Sequence, residues 1–204
     1  MFSSLPATEK ANALSHGAGI LFGLIALPAL LLRVDGSPFG VSIFAFSFLF
    51  MFTASTVYHA VLSDLSKRRW QRVDHISIYF LIAGTYTPFL LAYLATDKGE
   101  LILKLLWSCV AIGSILKIFF AGRFKLASTI IYLAMGWAAM FVLKDFLETM
   151  PTPVLVWLGI GGACYTIGTL FYLWKKLTYH HGIWHLFVLG GAISHWYAVW
   201  RSLD

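Results

Sequence analysis

At 204 residues, 59% hydrophobic and only 12% charged, the chain carries more apolar surface than one aqueous core of this size can bury. That excludes an ordinary soluble domain and makes it an integral membrane protein. Its formal net charge of +6 sits in short loops between apolar runs, which points to anionic lipid headgroups and away from nucleic acid.

The opening residues, Met1-Phe2-Ser3-Ser4-Leu5, lack a basic leader. The apolar run behind them is too long for a signal peptide and carries His16, so it is expected to stay in the mature protein. A hydrocarbon core of about 30 Å takes roughly 20 helical residues. On that measure seven transmembrane helices follow in order, over residues 12–32, 40–62, 73–95, 101–121, 126–146, 151–174 and 181–201. The breaks fall at Asp35-Gly36-Ser37-Pro38, Asp64 to Arg72, Asp97-Lys98-Gly99-Glu100, Gly122-Arg123-Phe124-Lys125, Glu148 to Pro153 and Lys175 to His180. Connections this short make neighbouring helices antiparallel. The whole of residues 1–204 reads as a single all-α domain without internal repeats.

Loop lysines and arginines set the orientation. One side collects Lys10, Lys67, Arg68, Arg69, Arg72, Lys117, Arg123, Lys125, Lys175 and Lys176; the other has Arg33, Lys98, Lys104, Lys144 and Arg201. The richer side is cytoplasmic, which places the amino terminus inside and the carboxyl terminus outside. Gly159, Gly161, Gly162 and Gly168 are expected to let the sixth helix approach a neighbour closely. Pro28 and Pro88 are expected to kink the first and third helices unless neighbours satisfy the freed carbonyls. Cys109 and Cys164 fall inside apolar stretches and read as packing residues.

With that topology the polar residues gather at one depth. His59 lies about one turn before the end of the second helix, and Ser55 is four residues earlier on the same face. Asp74 occupies the first turn of the third helix. His181 and His185 occupy the first two turns of the seventh, where i, i+4 spacing stacks two imidazoles roughly 6 Å apart. His16 sits about one turn into the first helix. All fall in the cytoplasmic-side third of the bundle.

Taken singly, a membrane histidine reads as a hydrogen-bonded packing residue, and so do His16, His75, His180 and His195. His195 is roughly 15 Å further along its helix than His185. The i, i+4 pair joined by His59 and Asp74 at the same depth reads differently. Zinc takes three imidazoles and a water in tetrahedral geometry, and three protein ligands with an open position is the catalytic pattern. His59, His181 and His185 are the expected ligands. Asp74, costly alone in lipid, is the expected general base to the water, and Ser55 would donate to Asp74 or to a substrate oxygen.

The same residues carry a resemblance. Glu9-Lys10-Ala11-Asn12 with Ser15-His16-Gly17, Ala54-Ser55-Thr56-Val57-Tyr58-His59, Asp74-His75, Ala83 to Phe89, Tyr132 to Trp137 and His181 to His185 resemble the bacterial hemolysin-III group of the progestin and adipoQ receptor family, over nearly the whole chain. The resemblance implies a seven-helix fold in the bacterial inner membrane with a zinc ion near the cytoplasmic face. It implies His59, His181 and His185 as ligands, with Asp74 and Ser55 beside them. The wider superfamily includes alkaline ceramidases and adiponectin receptors, so zinc-dependent hydrolysis of a lipid amide or ester is the leading expectation. That hydrolase would have an acyl-sized cavity reaching the metal. The alternative is a non-enzymatic protein in which zinc ties helices together and membrane state is sensed or tuned. A pore or transporter stands third, because the outer half of the bundle offers little polarity beyond Thr96, Ser108, Thr166 and His195.

Overall fold

The structure is a computed structural model and describes residues 2–204. Met1 and the side chains of Phe2 and Lys125, the last one of the loop cations counted above, lie outside the described residues. After a short 3-10 turn come α1 (Ala7–Leu31), α2 (Phe39–Ala60), α3 (Asp64–Tyr93), α4 (Asp97–Phe120), α5 (Lys125–Gly136), a 3-10 stretch (Trp137–Val142), α6 (Leu143–Thr149), α7 (Thr152–Leu173) and α8 (His180–Arg201).

Six helical segments among the described residues, not seven, are long and apolar enough to cross a membrane. They are Ala7–Leu31, Phe39–Ala60, Asp64–Tyr93, Asp97–Phe120, Leu126–Thr149 and Thr152–Leu173. The expected seventh span, 181–201, does form a helix of 22 residues. Its composition holds it back: His180, His181, His185, His195 and Arg201 interrupt the apolar residues. The assignment of the two termini to opposite sides of the membrane rested on seven crossings and loses that support, although the end of α8 lies at the bundle end opposite the start of α1.

Two boundaries move for local reasons. Residues 64–72, read above as a loop, form the first turns of α3, which is 30 residues long. At 1.5 Å per residue that is about 45 Å, more than a hydrocarbon core, so a basic stretch of good helix formers continues the helix beyond it. The fifth segment is interrupted after Gly136. There the Tyr86 hydroxyl of α3 donates to the Gly136 carbonyl at 2.6 Å and accepts from the Ala139 N–H at 2.8 Å. A side chain inserted into the ladder satisfies groups the break sets free, as irregular backbone at membrane depth requires. By contrast, α1 and α3 run on as helices through Pro28 and Pro88.

Small residues bring the helices together. A Cβ on Gly19 would lie 2.2 Å from the Phe52 ring, and one on Gly84 2.2 Å from Ser47 Oγ, so α1–α2 and α2–α3 close around those glycines. Gly161 accommodates the His195 ring and Gly191 the Tyr165 ring between α7 and α8. Gly168 does the same for Phe187, whereas Gly159 and Gly162 have open space where a Cβ would stand. Two of the four expected packing glycines in α7 therefore pack, and two face a cavity.

α8 lies parallel to α1. Asn12 meets His185 near one end, the Trp196 indole donates to the Ala26 carbonyl at 3.0 Å midway, and Arg33 pairs with Asp204 at the other end. The packed neighbours run α2–α1–α8–α7 on one side and α2–α3–α5 on the other, with α4 against the outside of α3. α5 touches α7 and closes the ring. The core, built on Phe44, Phe48, Phe52, Leu27 and Leu30, fills the α1–α2–α3 side. Between that side and α5–α7 lies a cavity of about 1050 Å³.

Candidate metal centre

α1, α2 and α8 deliver three imidazoles and their supports to one point at an end of the cavity. One ring nitrogen from each of His59, His181 and His185 lies within 4.8 Å of the others, close enough for all three to hold one metal ion. Ring centroids are 5.1 Å apart for His59–His181, 5.0 Å for His59–His185 and 4.6 Å for His181–His185. The helical pair from α8 and the single residue from α2 thus converge, as their common depth suggested. Tyr179, in the left-handed conformation at φ 61°, turns the chain so that α8 begins immediately before the pair.

The hydrogen bonds show which nitrogens are offered. His59 Nδ1 lies 2.8 Å from Glu9 Oε2 and 3.4 Å from the Asn12 side-chain amide. His185 Nδ1 lies 3.2 Å from the Asn12 carbonyl and 3.2 Å from Ser15 Oγ. An ionised carboxylate and a backbone carbonyl only accept, so both Nδ1 atoms donate to them. That tautomer leaves a lone pair on each Nε2. Nε2 of His59 and of His185 are buried and have no hydrogen-bond partner. Buried polar nitrogens are ordinarily satisfied, and a histidine that donates one nitrogen to a carboxylate or carbonyl while presenting the other is the usual arrangement around a metal. The residues present fit a divalent ion with a preference for imidazole, of which zinc is the commonest.

Ser55 and Asp74 reach the same place. Both are buried and line the cavity beside His59 and His181, and the Asp74 carboxyl faces the Ser55 hydroxyl and His59. His16 does not join the three ligands. Its ring stacks on His185 at 3.7 Å between centroids and meets Phe52 edge-on, although both its nitrogens lack partners. His195 is far down the cavity with Nε2 3.3 Å from the Leu158 carbonyl. His75 and His180 line the cavity wall without entering the cluster.

Sequence reasoning gave Glu9, Asn12 and Ser15 no part in the site. Glu9 also receives Lys67 Nζ at 2.8 Å, so one carboxylate joins α1, His59 and the projecting end of α3. The pattern was available: Glu9, Asn12 and His16 stand at i, i+3 and i+7, one polar face on an otherwise apolar helix.

The family model for haemolysin-III-related proteins matches residues 6–196. The chain belongs to that family. A hemolysin-3 homolog of Bacillus subtilis (strain 168) is 40% identical over 196 residues, covering 94% of this chain and 92% of the relative. Hemolysin-3 of Bacillus cereus is 37% identical over 196 residues, covering 94% and 90%. The likeness extends to the monocyte to macrophage differentiation factor of Homo sapiens, 30% identical over 159 residues, or 75% of this chain and 66% of that one. This member of the haemolysin-III family is a multi-pass helical membrane protein, consistent with the bacterial inner membrane. It contains a three-histidine cluster capable of coordinating a metal.

Proposed function

We propose that this haemolysin-III-related protein is a zinc-dependent hydrolase that cleaves an amide or ester bond of a membrane lipid. The observation that carries the reading is the set of three converging imidazoles, two with bare buried Nε2 atoms, at one end of a mostly apolar cavity of about 1050 Å³. That volume reaches the upper end of ordinary small-molecule sites and suits an acyl chain. His59, His181 and His185 would hold the ion, with Glu9 and the Asn12 carbonyl fixing the orientation of two of them. Bound there, zinc supplies a Lewis acid and makes water acidic enough to ionise near neutral pH. Asp74 would serve as general base, taking a proton at its carboxylate from the attacking water and returning it to the leaving group. Ser55 steers the Asp74 carboxyl, and the apolar walls exclude bulk water from the acyl chain.

The test begins with metal analysis of detergent-purified protein. About one zinc per chain is expected in the parent and none in His181→Ala/His185→Ala; a metal-free, folded parent would end the reading. An Asp74→Ala variant that keeps its zinc is then expected to lose turnover of an amide lipid by at least about a hundredfold, the scale of general acid–base contributions. Turnover unchanged in that variant would refute the catalytic assignment.

A second reading has its own support. Apart from their histidines, α2 and α8 scarcely meet, because α1 lies between them. A metal on His59, His181 and His185 would tie the two, and the protein would sense or tune membrane state without turnover. A zinc-loaded parent inert towards amide and ester lipids alike favours this reading over the hydrolase.

A further inference from the structure

Lys117, a cation on the cavity wall, has no carboxylate partner among the described residues. Lys117, in the last turns of α4, is only 5% exposed, while Ile115, Leu116, Ile118 and Phe119 around it are all exposed. A lysine at a membrane helix end ordinarily runs its apolar stem outward and leaves its ammonium among headgroups. Here the apolar neighbours face outward and the lysine turns in, onto the wall of the cavity that holds Asp74 and His181. Its Nζ meets Ser128 Oγ and lies 5.9 Å from the centroid of the Tyr132 ring.

No carboxylate pairs with Lys117 among the described residues. The cavity wall holds two carboxylates, Glu9 and Asp74. Glu9 is engaged by His59 and Lys67, and Asp74 faces Ser55 and His59. A buried ammonium left with one hydroxyl and one aromatic face is poorly compensated, since buried charges are ordinarily paired. The position is also pertinent. The Tyr132 hydroxyl donates to the His75 carbonyl at 3.0 Å, one residue from Asp74, so Lys117 stands one aromatic ring away from the segment that carries Asp74.

We propose that Lys117, with Ser128 beside it, is an anion-recognising subsite, and that the cavity takes an amphiphile carrying an oxyanion, phosphate or carboxylate, on an acyl chain. The oxyanion accepts from Lys117 Nζ, which Ser128 Oγ positions while its own hydroxyl donates to the Phe124 carbonyl, and the chain lies along apolar walls such as Leu81, Met140 and Leu155. This deepens the reading of the cavity as a lipid site and narrows its ligand class. It needs neither turnover nor bound metal.

Binding to full-length protein in neutral detergent, followed by native mass spectrometry, tests it with four probes: oleate, oleoyl lysophosphatidate, oleyl alcohol and inorganic phosphate. The parent is expected to bind at least one of the two anionic amphiphiles about tenfold or more tighter than oleyl alcohol, and which one identifies the oxyanion. Lys117→Met should erase that preference while binding oleyl alcohol as before, and Lys117→Arg should keep it. Lys104→Met, on the exposed face of α4, should change nothing. Oleyl alcohol binding certifies folding, and Lys117→Gln is a second neutral variant of different shape. No anion preference in the parent, or a preference surviving in either neutral variant that still binds oleyl alcohol, would overturn the proposal. Inorganic phosphate binding as tightly as the amphiphiles would do the same. The preference should persist in His181→Ala/His185→Ala, which separates the anion subsite from the metal centre: the hydrolase reading can fail while this one stands, and the reverse.

Discussion

The two walls of the cavity are built differently. In the most apolar stretches of α2 and α3, 56% and 61% of residues are buried; in Leu126–Thr149 and in α7 the figure is 17% for each. The first wall carries Ser55, His59 and Asp74 and is filled by the Phe44–Phe48–Phe52 stack against glycines of α1. The second is interrupted after Gly136 and leaves Gly159 and Gly162 bare towards the cavity. The three histidines able to hold a metal stand on the densely packed wall or are braced from it. The groups that line the rest of the cavity stand on the sparse one, where side chains have room to move around a ligand. Precision and accommodation are thus divided between two halves of one small bundle.

The contrast can be broken most sharply in the dense wall. Phe48→Ala removes a fully buried ring that packs on Phe44, Phe52 and Gly23. It is expected to cost about 3 kcal/mol or more. Phe141→Ala, at a side chain 79% exposed, should stay within about 0.5 kcal/mol. Thermal unfolding in detergent compares the pair, and equal losses would refute the division.

A second experiment asks whether the bracing from α1 matters to the metal. Glu9→Gln removes the charge that receives the His59 Nδ1–H and the Lys67 ammonium, while leaving an amide oxygen in place. Zinc affinity is expected to fall about 10- to 100-fold, the usual cost of losing a group that orients a ligating histidine. Glu9→Asp, too short to reach from the same helix position, should do no better. Competition with a chelator of known affinity measures both. Unchanged affinity would reduce Glu9 to a surface ion pair.

The smallest difference concerns neighbouring glycines on one helix. A Cβ on Gly161 would lie 2.2 Å from His195 Cδ2, whereas one on Gly162 meets nothing within 4 Å. Gly161→Ala should therefore destabilise by about 1–3 kcal/mol, and Gly162→Ala should be neutral or slightly stabilising, as replacing a mid-helix glycine by alanine ordinarily is. Melting temperatures of the two variants in the same detergent would check the sign of each.

Much of the site is legible in the order of residues alone, because helical periodicity and depth are properties of sequence. His181 and His185 share a face by their spacing, and His59 and Asp74 fall at the same level once the segments are laid antiparallel. Glu9 escapes that reasoning for a different cause. It lies near the start of the chain, where charge reads as interfacial, and nothing local says that α1 packs between α2 and α8. The seventh crossing is overcounted because length and periodicity of 181–201 suggest a span, while the histidines of α8 reduce its apolarity. The break after Gly136 gives no local sign because Tyr86, which satisfies the freed backbone, is fifty residues away.

By itself the sequence determined a helical membrane bundle, its family resemblance, and a set of polar residues at one level. The bundle and the common level of its polar residues follow from composition and from the 3.6-residue repeat, which act within a segment; the resemblance rests on the particular motifs. Only the tertiary structure decided which histidine nitrogens are left bare, that Glu9 and Asn12 hold the others, and that Lys117 turns inward to a cavity. Those depend on which helices are neighbours and on rotation about each axis, set by packing small residues against large ones across helices that are distant in the chain.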